Sequence, residues 1–168
     1  MKPSLQAGVS MTRRVVIDRD RTIGFMGEDA RVYATPSMIM DIERTCRDLI
    51  MEHADTGEDS VGIEVSVNHL AATLTGMTVD IEVRVTAVEG RKVTFEVSAK
   101  DDLEPIGAGK HVRFVVDSAK TVSRLKVKAE RWSSLQKEPQ PHTEICVRLR
   151  VCGWRHSNTS RDLRSMRG

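Results

Sequence analysis

Aromatic side chains are scarce in this sequence: two Trp, one Tyr and three Phe among 168 residues. A surface that stacks nucleobases needs aromatics interleaved with its cations. A nucleic-acid partner is therefore not expected. Cysteine is scarce as well. Cys46, Cys146 and Cys152 are too few and too unevenly placed for a disulfide framework, which suits a reducing, cytoplasmic setting. No run of about 18 apolar residues exists to span a bilayer, so no membrane partner is expected. Met1-Lys2-Pro3-Ser4 leads into no apolar secretion segment.

What is present suits one ordinary globular domain: 39% hydrophobic and 30% charged residues. The net charge of +2 conceals a split. Residues 119–168 carry 12 Lys and Arg against 4 Asp and Glu, and the remainder carries 14 against 20. This predicts a mildly acidic domain over residues 1–128 and a basic extension over 129–168, expected to be flexible. Within that extension His142, Cys146, Cys152 and His156 form H-x3-C-x5-C-x3-H. The close Cys pair of a zinc site is missing and Ile145, Val147, Leu149 and Val151 alternate as in a strand, so no metal is expected. Gly107-Ala108-Gly109-Lys110 lacks the spacing of a phosphate loop.

Val15-Val16-Ile17 suggests a first strand within residues 13–19, and the Gly-containing stretch 20–31 reads as a loop. A helix is predicted over 36–54. Thr35 offers an N-cap and Pro36 stands at the first helical position, where its missing N–H is harmless. Met38, Ile39, Ile42, Cys46, Leu49 and Ile50 then recur at helical spacing. Strict alternation predicts strands over Val61–Val67, Val79–Ala87 and Val93–Ala99, and a fourth runs from Ile106 to Val116. One long helix on one antiparallel sheet is an α+β layer architecture.

Three side chains stand out against this core. Glu43 lies on or beside the apolar stripe of the helix, where a carboxylate needs a partner or a solvated cleft. It could equally sit at the stripe's edge and reach water. His69 continues the Val61-Ile63-Val65-Val67 series, so its ring is expected on the buried face, either as a structural residue or as a reactive one. Thr35 has a sufficient role as a cap. Together they could converge on one pocket beside the helix N-terminus, whose free N–H groups suit an oxyanion. Ser37 and Met38 could donate there.

Ala34-Thr35-Pro36-Ser37-Met38-Ile39 with Glu43, Val67-Asn68-His69-Leu70-Ala71-Ala72-Thr73, Gly76, Val88-Glu89-Gly90-Arg91 and Ile106-Gly107-Ala108-Gly109-Lys110-His111-Val112-Arg113 follow in order. This pattern resembles the fluoroacetyl-CoA thioesterase-like family of hot-dog proteins, from about residue 10 to about residue 126. The resemblance implies a long helix wrapped by a curved antiparallel sheet, paired into a homodimer. It implies hydrolysis of a small acyl-CoA thioester with no metal or bound cofactor, CoA being part of the substrate. Thr35, Glu43 and His69 hold the family's catalytic positions. Gly76 matches a glycine near its active site, and His111 and Arg113 match its last-strand motif as structural or CoA-facing residues. Arg91, Lys92 and Lys110 are further candidates for the CoA phosphates. The fluoroacetyl-selective enzyme has a longer, aromatic-bearing lid and a glycine and a bulky aromatic where Pro36 and Ser37 stand here. The resemblance thus leaves the acyl group open. A non-catalytic acyl-CoA-binding module is the alternative, and a hydratase would instead be expected to pair an aspartate with a histidine.

Overall fold

The computed structural model describes residues 1–137. Five strands form one antiparallel sheet: β1 (Ser10–Val16), β4 (Glu58–His69), β5 (Thr78–Glu89), β6 (Lys92–Lys100) and β7 (Pro105–Asp117). Their spatial order is β1-β5-β6-β7-β4. Two short strands pair across the stretch expected to be a loop: β2 (Thr22–Ile23) lies inside residues 20–31 and β3 (Val32–Tyr33) directly after them. The helix α1 (Thr35–His53) packs on β4, β1, β5 and β7. This is the hot-dog arrangement that the sequence predicts.

The core follows from the two periodicities. Met38, Ile42, Cys46, Leu49 and Ile50 of α1 are all at most 1% exposed. They meet the inward row Val79, Ile81, Val83 and Val85 of β5 and Val93, Phe95 and Val97 of β6. Each large apolar side chain taken from water here contributes about 1.5–3 kcal/mol. The unit Met1–Glu130 holds this core.

Three expectations change. Thr35 is the first helical residue, not the cap. Ala34 takes the cap position in extended geometry and no side chain caps the helix, which leaves the Thr35 hydroxyl for another partner. Second, Val61, Ile63 and Val65 of β4 are 42–56% exposed instead of buried. A bulge between Gly62 and Glu64 shifts the register against β7. Before it, Gly62 faces Arg113; after it, Val65, Val67 and His69 face His111, Gly109 and Gly107. Third, a helix absent from the sequence reading, α2 (Ser118–Lys137), covers residues 129–137 of the predicted extension. Residues 142–156 with their His and Cys motif lie outside the described residues. Among the described residues no helix is long and apolar enough to cross a membrane.

Candidate active site

Helix α1 packs against β4 and β7, and two clusters lie along that contact, one at the helix start and one near its middle. At the helix start, Met38 reaches Gly107 on β7, and Gly107 is the register partner of His69. This places His69 Nδ1 2.8 Å from Thr35 Oγ1. The other ring nitrogen, Nε2, is buried without a hydrogen-bond partner among the described residues. Tyr33 stands edge-on to the imidazole, with centroids 6.4 Å apart at 74°. Beside Thr35 and His69 opens a cavity of about 370 Å³, walled by Ile23, Val32, Tyr33, Leu70, Ala71 and Ala72.

Glu43 belongs to the second cluster. Eight residues along α1 is a rise of about 12 Å, so it faces a different stretch of sheet. Its Oε1 lies 3.5 Å from Arg113 Nη1 and 3.6 Å from His111 Nε2, and a side chain at Gly62 would collide with it. Arg113 is buried and fully engaged. Its Nε donates to Ser60 Oγ at 2.9 Å, its Nη2 to the Ser60 carbonyl at 2.7 Å and its Nη1 to the Glu43 carbonyl at 3.3 Å. His111 is 1% exposed, and the Glu64 carbonyl 2.8 Å from Nδ1 selects the tautomer protonated there. Nε2 is then an acceptor, and Arg113 Nη1 lies 3.3 Å from it. Burial, reinforced by the Arg113 charge, holds the His111 pKa below the ordinary histidine value. His111 and Arg113 therefore face inward rather than lining an open CoA surface: Arg113 holds Glu43, and the neutral His111 packs beside the pair.

The sequence profile of the fluoroacetyl-CoA-specific thioesterase family matches residues 17–119. The fluoroacetyl-CoA thioesterase of Streptantibioticus cattleyicolor is 30% identical over 135 residues, covering 76% of this chain and 97% of that one. The chain belongs to the fluoroacetyl-CoA-specific thioesterase family. It is an acyl-CoA thioesterase, a hydrolase. A solved structure of the fluoroacetyl-CoA thioesterase superposes with a TM-score of 0.69 at 29% identity, over 74% of this chain and 97% of the other. A Thermus thermophilus thioesterase-superfamily member gives 0.73 at 30% identity, over 80% and 99%.

Within one chain of this thioesterase, Thr35 and His69 meet and Glu43 stands apart with His111 and Arg113. Gly76 lies in the turn from Leu74 to Met77 with φ +92, a conformation that glycine adopts without strain. That accounts for the residue without a ligand role. The Met38 N–H is committed to the Ala34 carbonyl at 3.0 Å, leaving Ser37 as the backbone donor at the helix start. Arg91 and Lys110 are ion-paired at 3.2 Å with Glu58 and Glu64, and Lys92 with Glu89. Cys46 is excluded as a nucleophile, because burial pushes its thiol up to about 12.

Sequence reasoning missed two contributors. Tyr33 donates to Asp41 Oδ2 at 2.7 Å, and Asp41 also accepts from Arg21 Nε at 3.1 Å. An Asp inside the predicted helix, eight residues after the lone Tyr, was the available signal.

Proposed function

We propose that this thioesterase hydrolyses a short-chain or otherwise small acyl-CoA to the free acid and CoA, with Thr35, Glu43 and His69 as its reactive group. The observation that carries this reading is the Thr35–His69 hydrogen bond at the wall of an apolar cavity, with His69 Nε2 left unpartnered among the described residues. The thioester carbonyl sits against the Ser37 N–H, where the helix N-terminus favours negative charge, while the Thr35 hydroxyl gives its single proton to His69 Nδ1. Glu43 supplies the carboxylate, attacking the carbonyl carbon itself or taking a proton from the attacking water. With Thr35 donating to Nδ1, the imidazole proton resides on Nε2, passes to the departing thiolate sulfur and is replaced by the proton drawn from the attacking water. Water's oxygen ends in the acid and its two protons are shared between the products. No metal or bound cofactor enters these steps.

The separation of Glu43 from His69 within one chain supports a homodimer. β4 is a twelve-residue edge strand with exposed Val61, Ile63 and Val65, and an edge of this kind invites pairing. Antiparallel self-pairing about its exposed stretch, near Val65, sets His69 of the partner subunit close to Val61 and Gly62, beside Glu43. The free, buried thiol of Cys46 accords with a cytoplasmic enzyme.

The test is thiol release from small acyl-CoAs. Glu43→Gln and His69→Ala are expected to lower kcat by about 10²–10⁴ with circular dichroism unchanged. Undiminished turnover in Glu43→Gln removes the assignment.

A further inference from the structure

Resting on the thioesterase reading above, we infer that the cavity beside Thr35 and His69 selects acyl groups that are apolar and uncharged, with Tyr33 setting its depth. Apart from the Thr35–His69 pair, the cavity wall comprises Ile23, Val32, Tyr33, Leu70, Ala71 and Ala72, with no Lys, Arg, Asp or Glu. The one wall residue with a polar tip turns that tip away. Tyr33 is 1% exposed and its hydroxyl donates to Asp41 at 2.7 Å, so the cavity meets the ring and not the oxygen. Burial and Asp41 together raise the Tyr33 pKa far above the ordinary phenol value, which keeps it neutral.

The two arginines that adjoin wall segments in the sequence are also committed. Arg21, preceding Thr22 and Ile23, donates to Asp41 at 3.1 Å and to Asp18 at 2.6 Å. Arg31, preceding Val32, donates to the Thr22 hydroxyl at 2.9 Å, the Thr22 carbonyl at 3.0 Å and Glu28 at 3.0 Å. A carboxylate at the end of an acyl chain would lie unpaired against this open apolar wall, with the buried Asp41 carboxylate behind Tyr33. Bringing an unpaired charge against apolar carbon is unfavourable, whereas aliphatic or aryl carbon fits such walls. Ser37 and the catalytic pair address only the thioester, so discrimination among acyl groups falls to these apolar walls.

The experiment compares kcat/KM for butyryl-, isobutyryl- and benzoyl-CoA with succinyl- and malonyl-CoA. The neutral substrates are expected to exceed the carboxylated ones by about 100-fold or more. Leu70 is 60% exposed at the cavity rim, so a substitution there leaves the core intact. Leu70→Arg supplies the missing cation and is expected to raise succinyl-CoA relative to butyryl-CoA by about 10-fold. Tyr33→Leu, read alongside its melting temperature, is expected to raise benzoyl-CoA relative to butyryl-CoA. Succinyl-CoA hydrolysed within about 10-fold of butyryl-CoA, with turnover still abolished by Glu43→Gln, overturns the selectivity and leaves the thioesterase reading standing. No thiol release from any of the five overturns both.

Discussion

Gly62 shows how closely a single residue governs this site. A Cβ there would sit inside the van der Waals envelope of Glu43 Oε1 and 3.2 Å from His111 Cε1. The obstructed atom is the end of a flexible side chain, so Glu43 can swing aside at a cost of about 1 kcal/mol or less. The swing takes the carboxylate away from Arg113 and from the position proposed for catalysis. Gly62→Ala is therefore expected to keep its melting temperature within a few degrees while kcat falls about 100-fold, as misplacement by about an ångström can produce. Paired thermal melts and thiol-release assays check this. An Ala variant as active as wild type would mean that Glu43 works from a different rotamer. At the same scale, Glu43 beside an apolar stripe was readable from the sequence, since helical spacing alone puts it there. The residues that hold it were not. Arg113 is seventy residues away, and only the β4–β7 register brings it beneath α1.

Among the elements, β4 departs most from its sequence pattern. The alternation of Val61, Ile63, Val65 and Val67 reads as a half-buried strand, and a strand is what forms. Burial does not follow, for two physical reasons. The bulge at Ile63 breaks the period of two, and β4 is an edge, with β7 on one side and, among the described residues, no strand on the other. By contrast β5 and β6 alternate without such interruption over Val79–Val85 and Val93–Ala99 and bury the predicted residues. The helix α2 was legible but overlooked: Val122, Leu125, Ala129 and Trp132 recur at helical spacing, although Val122, Leu125 and Trp132 are more than 50% exposed in the structure. If β4 is exposed because a second β4 covers it, charge on that edge must oppose the pairing. Ile63→Lys is expected to shift the protein from dimer to monomer at micromolar concentration in sedimentation experiments, with activity falling in step. A variant that stays dimeric and active places the interface elsewhere.

For the whole molecule, the question is whether one reactive group draws on one chain or two. Each chain places Thr35 against His69 at one end of α1 and Glu43 against His111 and Arg113 about two turns along it. If the partner's Glu43 completes each Thr35–His69 pair, two inactive variants can repair one another. In a heterodimer of Glu43→Gln and His69→Ala chains, one site collects both substitutions and the other collects neither. Equal amounts of the two, mixed and allowed to exchange subunits, form heterodimers as half of all dimers. The mixture should recover roughly a quarter of wild-type turnover, because half the sites in half the dimers are intact. A site built within one chain leaves every heterodimer site with one defect, and the mixture stays as inactive as its components. Subunit exchange, followed by mass spectrometry on differently tagged chains, must be complete for the comparison to hold. Recovery near a quarter would assign the two clusters to one shared site. Its absence after full exchange would require α1 to bring Glu43 to His69 within its own subunit, a movement that the Arg113 bonds to Ser60 and to the Glu43 carbonyl oppose.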